Sequence, residues 1–115
     1  MSERNIGPLK VLPPEQLKVI NGAEEVEKRK LFVAGYADFD LKQLILFRGN
    51  GTSVIAPFSI FKPSGTGLAP DFTNLEIIDW GQTVKLGEYE ASTTGILYDL
   101  DPAFKAEANG NKLFN

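Results

Sequence analysis

Five carboxylates, Asp79, Glu88, Glu90, Asp99 and Asp101, fall within 23 residues of this 115-residue chain, and they are the group that most invites a chemical reading. Paired carboxylates suit general acid–base work or the binding of a hard divalent cation. Each also has a simpler assignment. Asp79 suits a turn, Glu88 and Glu90 suit the first turn of a helix, Asp99 a solvated helix end, and Asp101, followed by Pro102, an N-cap. The Asp-x-Asp pair at 99 and 101 lacks the further oxygen ligands and the glycine of a calcium loop. No metal and no cofactor is therefore assigned, and no catalytic residue.

The chain contains no histidine and no cysteine. Thiol nucleophiles, imidazole proton shuttles, Ser-His-Asp triads, disulfides and thiolate or imidazole metal sites are excluded together. Residues 62–73, KPSGTGLAPDFT, hold a Gly-x-Gly, but neither the Lys-Ser/Thr of a phosphate loop nor the spacing of a dinucleotide fingerprint accompanies it. They read as a connecting loop. The net charge of −3 is uneven, about +2 over residues 1–62 and −5 over residues 63–115. An acidic second part argues against a nucleic-acid surface, which works by neutralising phosphates. No apolar run approaches the roughly 20 residues that span a bilayer, and the first ten residues lack a signal-peptide core, so a cytoplasmic location is the expectation.

Length and composition fit a single domain over residues 1–115 with one core. Residues 1–14, with Pro8, Pro13 and Pro14, read as an extended arm, and Asn21-Gly22 stops a short element at 15–20. Residues 24–30 read as a solvated helical turn. Strands are expected at 31–36, 41–47 and 53–61, the last two joined by the hairpin signal Arg48-Gly49-Asn50-Gly51-Thr52, and Pro57 marks a free edge or a bulge. Two more short strands, 75–78 and 83–86, flank a turn at Asp79-Trp80-Gly81-Gln82. Tyr89, Thr93, Ile96, Leu97 and Leu100 then follow helical spacing, which predicts the main helix over 88–100, and Asp101-Pro102 opens a short helix to about 108. The expected fold is α+β: an antiparallel sheet of four or five strands with one main helix across it and a short C-terminal helix.

The order VIAPFSIF, SGTGLAPDFTNL, IDWGQTVKLGEYEAS and ILYDLDPAF resembles the prokaryotic domain-of-unknown-function family 2442 and its helix-turn-helix-linked relatives, over residues 31–105. The most specific pieces are GQTVKLGEYEA at 81–91 and Tyr98-Asp99-x-Asp-Pro. The resemblance implies a compact α+β domain in regulatory or toxin–antitoxin-like settings and carries no active-site residue. The functional expectation is a non-enzymatic binding or regulatory module acting through a protein partner or by self-association, with a carboxylate-based enzyme or divalent-cation-binding domain as the alternative. Trp80, the lone tryptophan, is the first candidate contact, with Gln82, Glu88 and Tyr89 beside it in sequence.

Overall fold

The computed structural model describes residues 5–63, 65 and 67–113. The first sheet contains β1 (Lys10–Val11), β2 (Phe32–Asp38), β3 (Gln43–Arg48) and β4 (Ser53–Pro57), antiparallel and in that spatial order. β3 and β4 form a hairpin because Gly51 takes φ 88°, its N–H bonds Arg48 O at 3.0 Å, and Asn50 Oδ1 accepts from both the amide and the hydroxyl of Thr52. One face of this sheet, Gly35, Ala37, Leu44, Leu46, Val54 and Ala56, is buried.

The second sheet is a meander of β5 (Leu75–Ile78), β6 (Thr83–Leu86) and β7 (Tyr89–Ser92). Leu75, Ile77, Val84 and Leu86 face the core, and Gly35 lets the two sheets approach: a Cβ there would lie 2.8 Å from Leu46 Cδ2 and 3.7 Å from Ile77 Cδ1. The other face carries the cross-strand row Glu76, Lys85, Glu90, in which acid, base and acid lie opposite one another.

Four α-helices complete the described residues: α1 (Pro14–Asn21), α2 (Glu25–Lys28), α3 (Thr93–Leu100) and α4 (Pro102–Leu113). α1 seats Ile20 in the core and stops at Gly22; α3 packs beside β4 and β7 through Ile96 and Leu97. Arg29 at the end of α2 is bonded to Glu107 of α4 at 2.5 Å.

Several expectations are corrected. There are two sheets where one was expected: β5, β6 and β7 pair only with one another, and β5 packs against β1 and β2 instead of extending their ladder. The helix expected over 88–100 begins only at Thr93. Gly87, at φ 69°, closes a two-residue hairpin turn that pairs Leu86 with Tyr89, so residues 89–92 join β6, and Ser92 then caps α3 by accepting the Gly95 N–H at 3.0 Å. Tyr89 and Ala91 alternate as well as they fit a helical stripe, and pairing with β6 decides between the two. Glu88 and Glu90 therefore lie at a hairpin and on a strand, not in a helical first turn. β4 ends at Pro57, which has no N–H for the ladder, and Phe58–Ile60 turns as a 3₁₀ segment with Phe58 stacked on Phe72 at 3.7 Å. α4 continues through the Asn109-Gly110-Asn111 stop to Leu113. Of the arm, residues 1–4 lie outside the described residues; the remainder forms a bridge between Ile6 and Asp38, then β1, and Pro14 already belongs to α1.

Candidate partner-binding surface

The four residues singled out from the sequence fall into two pairs. β6 separates them, roughly 13 Å of extended chain. At one end, Asp79, Trp80 and Gly81 take φ values of 54°, 57° and 84°, three successive left-handed residues of which two are not glycine. Such a conformation costs of order 1 kcal/mol or more per non-glycine residue and persists only where its surroundings hold it. Here they do. Thr83 Oγ1 donates to Asp79 Oδ2 at 2.9 Å, the Trp80 N–H bonds Gln16 Oε1 of α1 at 3.2 Å, and the fully buried Thr93 hydroxyl donates to Gly81 O at 2.7 Å. The Thr93 N–H reaches Gln82 O at 2.8 Å, so Gln82 serves this turn through its backbone. The Trp80 side chain stands 45% exposed.

At the other end, Tyr89 is packed against the core and its hydroxyl donates to Lys62 O at 2.8 Å, a structural tie to the long loop. Glu88 lines a polar cleft of about 550 Å³ with Asp71, Asn74, Glu76 and Lys85. The five clustered carboxylates are dispersed over a turn, a hairpin, β7, α3 and the α3–α4 junction, and among the described residues no group of three or more acidic side chains could hold a metal ion.

Asp101 has its own assignment. Its carboxylate accepts from Ala103 N and Phe104 N, capping α4, and is bonded to Arg48 of β3. The Arg48 guanidinium holds the Asp101 carboxyl below the usual carboxylate range; burial opposes this and the two backbone N–H groups assist it. With its folded-state pKa depressed, the group stabilises the fold above the unfolded value of about 3.9, and that contribution is lost as pH falls through the folded value. Asp101→Asn keeps a cap acceptor and removes the charge. It is expected to lower the urea unfolding free energy by about 2 kcal/mol at pH 7, a loss that shrinks below about pH 4. Paired titrations at neutral and acid pH check this.

The Arg48–Asp101 pair also lies at the base of a groove of about 440 Å³ that runs along β4, with Thr52, Ser53, Ile55 and Leu100 on its sides. β4 is the outer strand of its sheet. The bonds Arg48 N–H to Thr52 O at 2.8 Å and Phe58 N–H to Lys42 O at 2.9 Å set the alternation of the ladder. Val54 and Ala56 bond β3, and the amide groups of Ser53 and Ile55 point away from the sheet. Pro57 occupies the third outward position.

Next to this edge lies the second face of the same sheet. Tyr36, Ile45 and Ile55 form one cross-strand row, and Val11, Ala34, Phe47 and Ser53 the next. The Tyr36 and Phe47 rings are 6.3 Å apart. Ile55 is 54% and Val11 50% exposed, and Tyr36, Ile45 and Phe47 are only partly buried. The chain thus presents a contiguous apolar face beside a strand with unused hydrogen-bonding groups. Comparison with protein-family models, with curated proteins and with solved structures gives no match. The geometry of this face is accordingly the basis for a functional reading.

The residues singled out from the sequence, Trp80, Gln82, Glu88 and Tyr89, do not include this face. The signal was present in LKQLILF, where Leu44, Ile45, Leu46 and Phe47 are all apolar. A strand apolar at both parities has two faces to cover.

Proposed function

We propose that this chain is a non-enzymatic binding or regulatory module that acts through a protein partner, engaged by the outer face of the four-stranded sheet and its β4 edge. The observation that carries the reading is the apolar row Tyr36–Ile45–Ile55, half-buried at Tyr36 and Ile45 and exposed at Ile55, running up to an edge strand with outward amides. Contiguous exposed apolar surface of this kind marks interaction sites, and an open edge accepts an added strand. The run at 81–91 that resembles family 2442 supports a regulatory setting, and it spans the end of the left-handed turn, β6 and most of β7. Trp80, on the opposite side of the construction, is a secondary contact in this reading. No helix among the described residues is long and apolar enough to cross a membrane.

The test is a photo-crosslinking residue placed at Ile55 in cells, with Val19 of α1, 60% exposed, as the control position. The reading expects one adduct of defined mass from Ile55 and none from Val19. Absence of an adduct at Ile55, or the same adduct from both, contradicts it.

A further inference from the structure

The binding reading above leaves the partner open, and the inference here rests on that reading. We propose that the partner is a second copy of this chain, added antiparallel along β4 about a two-fold axis at Ile55, so that two four-stranded sheets become one of eight strands.

The backbone groups on the edge carry the argument. β4 turns two donors outward, the N–H groups of Ser53 and Ile55, and three acceptors, the carbonyls of Ser53, Ile55 and Pro57. Under two-fold pairing at Ile55, the two Ile55 residues exchange N–H and C=O, and Ser53 of each copy donates to Pro57 of the other. All four donors of the pair are satisfied. The missing N–H of Pro57 leaves only the Ser53 carbonyl without a donor, the cheaper kind of vacancy because it still faces solvent at the end of the strand.

Charge agrees. No Asp, Glu, Lys or Arg occurs from Gly49 to Phe61, so two copies of this strand meet without like-charge opposition although each chain carries −3 overall. The other edge of the sheet is closed to such pairing: β1 is two residues long, lies between Pro8 and Pro13 and includes Lys10, the usual protections of an edge. β4 lacks the charged ones. Apolar cover agrees as well, because the same axis continues the row Tyr36–Ile45–Ile55 into Ile55, Ile45 and Tyr36 of the second copy, a self-complementary contact of the sort two-fold dimers use.

The experiment is the solution mass of the purified chain over a wide concentration range, by light scattering and sedimentation, for the wild type, Ile55→Lys and Ser53→Pro. Ile55→Lys brings two ammonium groups together at the axis; Ser53→Pro removes an outward donor. Neither position bonds β3, and unchanged far-ultraviolet circular dichroism verifies the fold. The expected result is a wild type of twice the chain mass, with the dissociation constant raised about tenfold or more by each substitution, equivalent to about 1.4 kcal/mol. A wild type monomeric throughout, or a dimer indifferent to both substitutions, overturns the proposal. A monomer that still gives the Ile55 adduct with another protein overturns self-pairing and leaves the binding reading standing, whereas a monomer with no adduct overturns both.

Discussion

Gly81→Ala is expected to lower the unfolding free energy by about 2–4 kcal/mol, a large part of the roughly 5–15 kcal/mol that holds a domain of this size together. Two independent effects add. Gly81 sits at φ 84°, where an L side chain is strained, and a Cβ there would lie 2.5 Å from Phe32 O, 3.2 Å from Leu31 Cβ and 3.3 Å from Phe32 N. Left-handed strain costs about 1 kcal/mol and a clash with fixed atoms about 1–3 kcal/mol or more. The obstacle is backbone, so it cannot turn aside, and relief requires the turn to move away from β2. That movement would strip Gly81 O of the buried Thr93 hydroxyl. Gly51 provides the control, since it has φ 88° and nothing within 4 Å of its Cβ position. Gly51→Ala should cost about 1 kcal/mol, the conformational part alone. Equal losses for the two variants in urea titrations would show that the turn is not wedged against Phe32.

The second large effect separates the two faces of the first sheet. Leu46→Ala should cost about 3 kcal/mol, because Leu46 is fully buried between the sheets and its truncation leaves a cavity beside Gly35 and Ile77. Ile55→Ala, on the neighbouring strand but the opposite face, should change stability by no more than about 0.5 kcal/mol when measured at concentrations too low for association. Both substitutions remove aliphatic carbons from a strand, so helix or strand propensity cannot account for the difference. A comparable loss at Ile55 would mean that the outer face serves the fold, and the case for a docking surface would weaken accordingly.

Much of the fold was legible because local signals agreed with tertiary structure. The Arg48–Thr52 hairpin, the strands at 75–78 and 83–86, the Gly22 stop and the Asp101-Pro102 helix start all follow from turn and cap chemistry that acts within a few residues. Pro57 marks a free edge, as expected, though it also ends the strand. Where the sequence misled, two periodicities competed. Tyr89, Thr93, Ile96 and Leu97 make a helical stripe, yet Tyr89 and Ala91 also alternate, and only the presence of β6 alongside settles the strand. The division into two sheets was not legible either, since it depends on a close approach at Gly35 between segments some 40 residues apart.

The candidate site was harder to read than the fold. The folded chain disperses the clustered acidic residues, and Asp101 caps α4 as Asp101-Pro102 signals, while its ion pair with Arg48, 53 residues away, had no local signal. Trp80 stood out as the lone tryptophan, but its distinction in the structure is a left-handed backbone held by Gln16 and Thr93 contacts that no local signal announces. The surface that matters most in this account is made of ordinary isoleucine, tyrosine and phenylalanine residues. That they share a face lying away from the core becomes visible only once it is known that the second sheet and α3 take the other side.

Amide hydrogen exchange at β4 tests that surface most directly. In an isolated chain the Val54 and Ala56 amides, bonded to β3, should be protected, and those of Ser53 and Ile55 should exchange at open-chain rates. When the surface is occupied, by a second copy at high concentration or by the protein captured at Ile55, the account predicts that Ser53 and Ile55 become protected to a degree that rises with occupancy. Unprotected Ser53 and Ile55 amides under every such condition, beside a protected Val54, would contradict it.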